Sequence, residues 1–392
     1  MTNTTVTVTL LSDLHIGTGT KLLSGIDWYA HRNGYTYMGH DQTIMDVVLE
    51  RAASDGQDEI EVINTITGLK LGDLLDAGWL EPADFHPESN LFRYRLAGQP
   101  VTNEIREQIK SVYGKPYLPG SSLKGALRTV LATVAAAQLK PSLQRNDLGR
   151  SRTWAAQPVE ARLFGIGGAR VDANRDFGRA IQIGDSAEVD ASVLRLRRAH
   201  IYPTASHTQR GRSRGLDIDL ETVAKGTEFT LTMHTSDELW TDRGTPFDER
   251  RRAELNHWPQ RAKWLAQLAH HGREYARQLL IQEVTYFQSR RDVPAVHAFY
   301  DELATRFTQL KKNQFMVPIG WGGGWHTKTL NEYIRQNSGQ FDEIVRTYRL
   351  NPTGTYTTGD PFPKSRHLLR LANERLGEPL GWVLISTEQL ES

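Results

Sequence analysis

Lys124 and Arg128 stand four residues apart in the stretch Tyr113–Thr129, YGKPYLPGSSLKGALRT. At helical spacing the two cations share one face, and Ser121, three before Lys124, joins them. Pro119-Gly120 predicts a turn, and Ser121 and Ser122 offer hydroxyls to cap the helix that follows. Free amides and the positive end of the helix dipole favour an anion at that point. Gly125, between the cations, has no side chain, so a phosphate backbone could approach closely. The chemistry this suggests is the holding of consecutive phosphates. The alternative is an ordinary capped helix with surface charges. Gly120 and Gly125 have the spacing of a Walker A loop. Ala126 and Leu127 follow where lysine and a hydroxyl would have to be, so NTP hydrolysis is not expected.

Three other stretches carry similar chemistry. Pro318–Thr329, PIGWGGGWHTKT, holds Gly320, Gly322, Gly323 and Gly324. Such a run can fold its amides into a nest around an anion. Trp321 and Trp325 could stack bases, with His326 and Lys328 adding contacts. The alternative is a flexible turn with two core tryptophans. Leu14–Thr20, LHIGTGT, follows an alternating run, and Gly17 and Gly19 permit a tight loop. His15 there could touch RNA or act as acid or base, although a lone histidine is more often structural. Between Ala191 and Arg214 lie Arg195, Arg197, Arg198, Arg210, Arg212 and Arg214 with no acidic residue. His200, Tyr202 and His207 interleave with them, which favours RNA contact over a solvated loop.

Other catalysis finds little support. No H-E-x-x-H, G-x-S-x-G or EF-hand pattern appears. His270 and His271 are adjacent, so they point to different helix faces. Asp13, Asp27 and Asp41 lack ligand spacing. The absence of cysteine removes disulfides, thiolate metal sites and thiol nucleophiles together. No metal, no cofactor and no enzymatic activity are expected. Net charge is +1, so any nucleic-acid site must be a local patch. No apolar run reaches the ~18 residues of a membrane helix. MTNTTVTVTLL does not read as a signal peptide, and a cytoplasmic, membrane-free protein is expected.

The elements that must position these residues follow from periodicity. Val6, Val8 and Leu10 alternate with threonines as a strand does. A hairpin is expected over Ile26–Met38 with its turn at Asn33-Gly34. Asp41 caps a helix bearing Ile44, Val47 and Val48, residues 54–90 are irregular with short helical pieces, and Leu91–Leu96 is a strand. The phosphate-type helix starts near Ser121 and stops before Pro141, with Leu123, Leu127, Val130, Leu131 and Val134 on one face. Strands follow at Ala180–Ile183, Leu194–Tyr202 and Glu228–His234, with the basic segment as a long hairpin or loop between the last two. Asp248–Asn313 is helical with a break at Pro294, and Pro379–Ser386 closes the chain as a strand. The fold class is α+β, with a split βαβ arrangement in residues 1–240. Residues 241–392 hold a helical segment and a degenerate second copy with the glycine-rich loop.

LHIGTG after the first strand, PYLPGSSLKGALRT opening a helix, and RLFG (Arg162–Gly165) before IQIGDS (Ile181–Ser186) together resemble the RAMP superfamily of CRISPR proteins. GWGGGWHTKT and EPLGWVLIS (Glu378–Ser386) are similar to its fifth-subunit branch in type III-A Csm effector complexes. The resemblance implies ferredoxin-like, RRM-like modules that hold guide RNA by its backbone whatever its sequence. It implies a non-catalytic subunit that caps the 3′ end of the crRNA and supports its maturation and antiviral defence. Partners implied are crRNA, target RNA, the repeated backbone subunit and other Csm subunits, and cellular nucleases. RNA contacts carry over to Ser121, Ser122, Lys124, Arg128, the Gly320–Gly324 loop, His15 and Gly17. The arginine-rich segment corresponds to a thumb-like element that wedges between guide and target. The target-cleaving backbone subunit carries an aspartate in a loop after LHIG. Asp27 lies in a similar place, but its neighbours Ile26, Trp28 and Tyr29 read as strand. The alternatives are a metal-dependent endoribonuclease using Asp27 and a Cmr-type subunit.

Overall fold

The computed structural model describes residues 2–30, 34–39, 41–85, 91–142, 151, 157–165, 176–202, 217–236, 258–328, 330–337, 339, 341–350, 357, 362–363 and 365–389. Alternation produces β1 (Thr2–Leu10), where Val6, Val8 and Leu10 are buried. A turn through Leu11–Ile16 leads to β2 (Gly17–Leu23). A lobe then leaves and returns: β3 (Trp28–Ala30), β4 (Tyr35–Gly39), α1 (Asp41–Ser54), α2 (Glu59–Ile66), α3 (Leu71–Asp76) and β5 (Phe92–Ala97). Its strands form a three-stranded sheet, and Ile44, Val48, Val62, Ile66, Leu71 and Leu74 give it a core of its own.

The main body resumes with β6 (Glu104–Gln108), α4 (Gly120–Leu139), α5 (Gln157–Phe164), β7 (Ile181–Ile183), β8 (Leu194–Tyr202), β9 (Asp217–Val223) and β10 (Glu228–Thr235). Next come α6 (Trp258–Ala266), α7 (Leu268–Gln288) and α8 (Pro294–Thr308), the last with Pro294 in its first turn, where a missing N–H costs nothing. The chain continues through β11 (Gln314–Pro318), α9 (Asn331–Asn337), α10 (Phe341–Thr347), β12 (Arg366–Arg370), β13 (Leu376–Pro379) and β14 (Trp382–Gln389).

Two larger sheets organise the body. The first runs β11-β14-β1-β10-β7 and is antiparallel throughout. The second runs β13-β12-β8-β9-β6-β2, with only β6 and β9 parallel. Both sheets draw strands from either side of residue 240. α4 and α7 cover the first sheet and share its core with Phe164, Phe177, Phe229, Phe315 and Ile385. The architecture is α+β, as the sequence predicts. One difference lies after β1, where a glycine loop was expected and Gly17–Leu23 instead forms an edge strand. Between β8 and β10, where a long hairpin or loop was expected, Asp217–Val223 pairs antiparallel with β8 as β9, so the hairpin alternative holds.

Candidate nucleic-acid interface

α4 begins at Gly120, which no other residue could replace without displacement. A Cβ there would lie 2.2 Å from the Ile183 carbonyl. The Gly120 amide donates to Asp185 Oδ1 at 2.8 Å, and the Ser122 amide turns back to the Pro119 carbonyl at 3.0 Å. Internal groups thus take part of the anion-binding capacity that a bare helix start would have. Leu123, Leu127, Val130 and Leu131 face the core, while Ser121 and Gly125 are exposed. A Cβ at Gly125 would meet nothing within 4 Å, so the approach between the cations is open. Lys124 is half-buried. Desolvation pulls its amine below the usual lysine range, Asp176 pushes it back up, and Arg128 adds repulsion.

Arg128 differs from expectation. Its guanidinium grips Asp176 with two parallel bonds of 2.7 and 2.8 Å, and Glu160 lies 3.6 Å away. It also sits 4.0 Å above the Phe164 ring. This fork ties α4 to α5 and to the turn before β7, so the side chain is a structural clamp with its charge already matched.

The two glycine loops, 300 residues apart in sequence, meet. The Trp321 amide donates to the His15 carbonyl at 2.8 Å, and a Cβ on Gly320 would come within 2.5 Å of that oxygen. Gly320, at φ +71°, is thus required both by backbone conformation and by the approach. The Ile319 amide bonds the Gly381 carbonyl, and the Gly381 amide bonds the Asp13 carbonyl. Because the Trp321 amide is used in this way, it is closed to an anion. Gly17, Thr18, Gly19, Thr20 and Lys328 are exposed.

His15 itself is buried at 2% exposure, with Nδ1 bonded to the Glu221 carbonyl at 2.7 Å. Burial above all lowers its pKa to about 4; the Glu221 carbonyl opposes that shift, while Arg106 and Lys110 add to it. The ring is neutral near pH 7 and braces the loop. The tryptophans are engaged as well. Trp321 has the Arg106 guanidinium 5.0 Å from its ring and His367 at 4.5 Å. Trp325 packs edge-on against Phe341 and Phe362. Sequence reasoning did not find Arg106 or His367. Neither sits in a motif, and only the pairing of distant strands brings them here.

Among the arginines of β8, Arg195 caps the Ser192 and Leu194 carbonyls. Arg197 reaches Asp13 at 2.5 Å, and Arg198 meets Glu374 and Asp219. Arg197 and Arg198 are therefore matched by acids from elsewhere in the chain. Arg210, Arg212, Arg214 and His207 lie outside the described residues.

α4 packs against β7 at one edge of the first sheet, and the Gly320–Gly324 run follows β11 at its other edge, while Gly17–Thr20 opens β2, the edge strand of the second sheet. Four strand spacings separate those edges, on the order of 20 Å. Only an extended ligand could touch both.

Asp27 lies in the turn Gly25–Asp27 rather than in a strand, and its Oδ2 accepts the Leu23 amide at 2.6 Å. Among the described residues no three His, Asp or Glu side chains are placed to hold a metal. Labelled guide and target RNA incubated with the chain in Mg²⁺ or Mn²⁺ are expected to remain uncut. Specific cleavage that Asp27→Ala abolishes would reverse this assignment.

A family model described as the RAMP superfamily matches residues 7–325. The chain belongs to the RAMP superfamily. This RAMP chain is 31% identical over 139 residues to the CRISPR system Cms protein Csm5 of Streptococcus thermophilus, a match over 35% of this chain and 36% of that protein. It therefore spans about a third of the curated relative it matches. Among solved structures, a chain of the Csm-crRNA-target RNA ternary complex of a type III-A CRISPR-Cas system superposes with a TM-score of 0.69 at 21% identity, covering 98% of this chain and 100% of that one. The crystal structure of T. onnurineus Csm5 gives 0.62 at 21% identity, over 96% and 99%. The RAMP fold is shared along nearly the whole chain. Among the described residues no helix is long and apolar enough to cross a membrane.

Proposed function

We propose that this RAMP chain is a non-catalytic, crRNA-binding subunit of a type III-A CRISPR effector complex, seated at the 3′ end of the guide. The observation that carries the reading is a pair of polar clusters, one at the start of α4 and one where the two glycine segments meet. Exposed Ser121 and Gly125 with half-buried Lys124 form the first, and exposed Gly17–Thr20 and Lys328 belong to the second. Both suit an RNA backbone held without sequence preference, because hydroxyls, amides and ammonium groups read phosphate and not base. The likeness in fold to a chain of a Csm-crRNA-target RNA ternary complex supports membership of an RNA-guided assembly. In this reading contact at the first loop comes from its exposed backbone and Thr18, with the His15 ring behind it. Arg128 acts through Asp176 to set the pitch of α4, and Lys124 makes the phosphate contact. Target RNA and the repeated backbone subunit are its neighbours, and crRNA 3′-end maturation and antiviral defence in the cytoplasm are its setting.

The test separates phosphate contacts from folding. Lys124→Ala combined with Lys328→Ala removes two cations that make no structural fork. Guide affinity should fall similarly for unrelated guide sequences, and the salt slope should become shallower by roughly 1 per lost contact. Filter binding across a salt series measures both. Unchanged affinity and slope in the folded double variant would remove the RNA-binding reading of these clusters.

A further inference from the structure

The lobe between β2 and β6 has a charge opposite to that of an RNA-binding surface. Residues 52–85 contain eight carboxylates and one lysine, a net −7 in a chain of net +1, which leaves +8 on the remainder. Asp55, Asp58, Glu59, Glu61, Asp73, Asp76 and Glu81 are exposed. On α2 the sequence EIEVINTI splits into two faces. Val62 and Ile66 point into the lobe's own core. Ile60 and Ile63, one helical turn apart on the other face, are 70% and 39% exposed. Glu59 and Glu61, the immediate neighbours of Ile60, lie about 100° to either side of it around the helix. Asp58 caps the helix by accepting the Ile60 and Glu61 amides at 3.0 and 3.1 Å, so the face is held rigidly.

An apolar centre with an acidic rim, on helices that share a core apart from the main one, is the arrangement of a protein contact. We infer that the Ile60/Ile63 face of α2 docks a neighbouring protein subunit of the effector complex whose contact surface is basic around an apolar pocket. RNA and anionic lipid are repelled by the rim. A two-fold pairing of this chain with itself would set acidic rim against acidic rim. A basic protein surface is the occupant that both the isoleucines and the carboxylates favour. The inference rests on membership of an effector complex.

The experiment uses the full chain, tagged and co-expressed with the other protein subunits of its complex and guide RNA. Subunit ratios are read by native mass spectrometry after purification through the tag. Two variants probe the face independently: Ile60→Ser with Ile63→Ser, and Glu59→Lys with Glu61→Lys. All four positions are exposed or rim positions outside the proposed RNA contacts. Each variant should lose one protein subunit at least tenfold while its melting temperature and guide RNA affinity match the parent. Every subunit retained at the parent's ratio in both variants would overturn the inference. So would a matching loss of guide affinity, which would make the face an RNA contact, or loss of a self-associated form seen in the parent. A parent chain that joins no complex at all overturns the effector reading and this inference together. A parent that assembles alongside variants that assemble equally well overturns this inference alone.

Discussion

Glu283→Ala is expected to lower stability by about 3–5 kcal/mol, the usual cost of leaving one member of a buried ion pair uncompensated. Glu283 on α7 receives Arg366 Nε from β12 at 2.8 and 3.0 Å on its two oxygens, and both side chains are almost wholly buried. The Tyr300 hydroxyl of α8 donates to the same carboxylate at 3.3 Å. The guanidinium lies 3.8 Å over the Tyr286 ring, and its Nη2 is 3.2 Å from His326 Nε2, just beyond the glycine run. Removing the carboxylate strands a guanidinium that cannot discharge by losing its proton. Urea unfolding should show the loss as a lower midpoint at unchanged slope. Replacing both partners together, Glu283→Leu with Arg366→Met, should recover much of it, because no charge is then left without a partner. A single variant within about 0.5 kcal/mol of the parent, in the range of neutral surface changes, would show that the network is not holding these elements.

Arg128→Ala is expected to cost about 2–4 kcal/mol, from the loss of charged hydrogen bonds and of a carboxylate's partner. The side chains of Arg128 and Asp176 are 26% and 11% exposed, so water screens the pair only in part. Lysine should not substitute, since one ammonium cannot reproduce two parallel bonds to a carboxylate and a stacked plane. Asp176→Asn should produce a comparable loss, and the double variant should cost less than the two singles combined. Asp176 also accepts the Gly178 amide at 2.7 Å, so the turn before β7 should exchange its amide hydrogens faster in both variants. Additive losses would mean the fork contributes no coupling. This result would separate Arg128 from Lys124, which equal spacing on one helix face makes look alike in sequence.

That contrast marks how far the sequence could be read. α4 was legible because Pro119-Gly120 opens it, Pro141 follows its end, and a long apolar stripe runs between. β8, β10 and the break before Pro294 were legible for similar local reasons. β2 was not, because GTGTKLL is an exposed edge whose residues show no alternation. β12 and β13 are short, and their strand character comes from pairing with β8 and with each other. Residue type singled out Gly320, where a positive φ and the close His15 carbonyl do require glycine. It could not reveal that the partner of Arg128 lies 48 residues on, or that of Arg197 184 residues back. Whether a cation is available depends on such distant partners. His15 shows the same limit, since burial, which sequence does not display, turns a candidate contact into a brace.

The placement of β1 between β10 and β14 sets a clock on biosynthesis. Thr4 lies opposite Gln389, so the middle of the first sheet joins segments separated by almost the whole chain. At about 5–20 residues per second, a ribosome needs roughly 20–75 s between making β1 and making its final neighbour. For more than half of that interval β1 has neither neighbour, and once β10 is made it can pair with β10 alone, leaving its other edge, rich in threonine and valine, open to any extended peptide nearby. Closure of the sheet is thus a late, long-range event, of the kind that slows folding. Only then does β11 find β14, and with β11 the glycine loop takes its place beside His15.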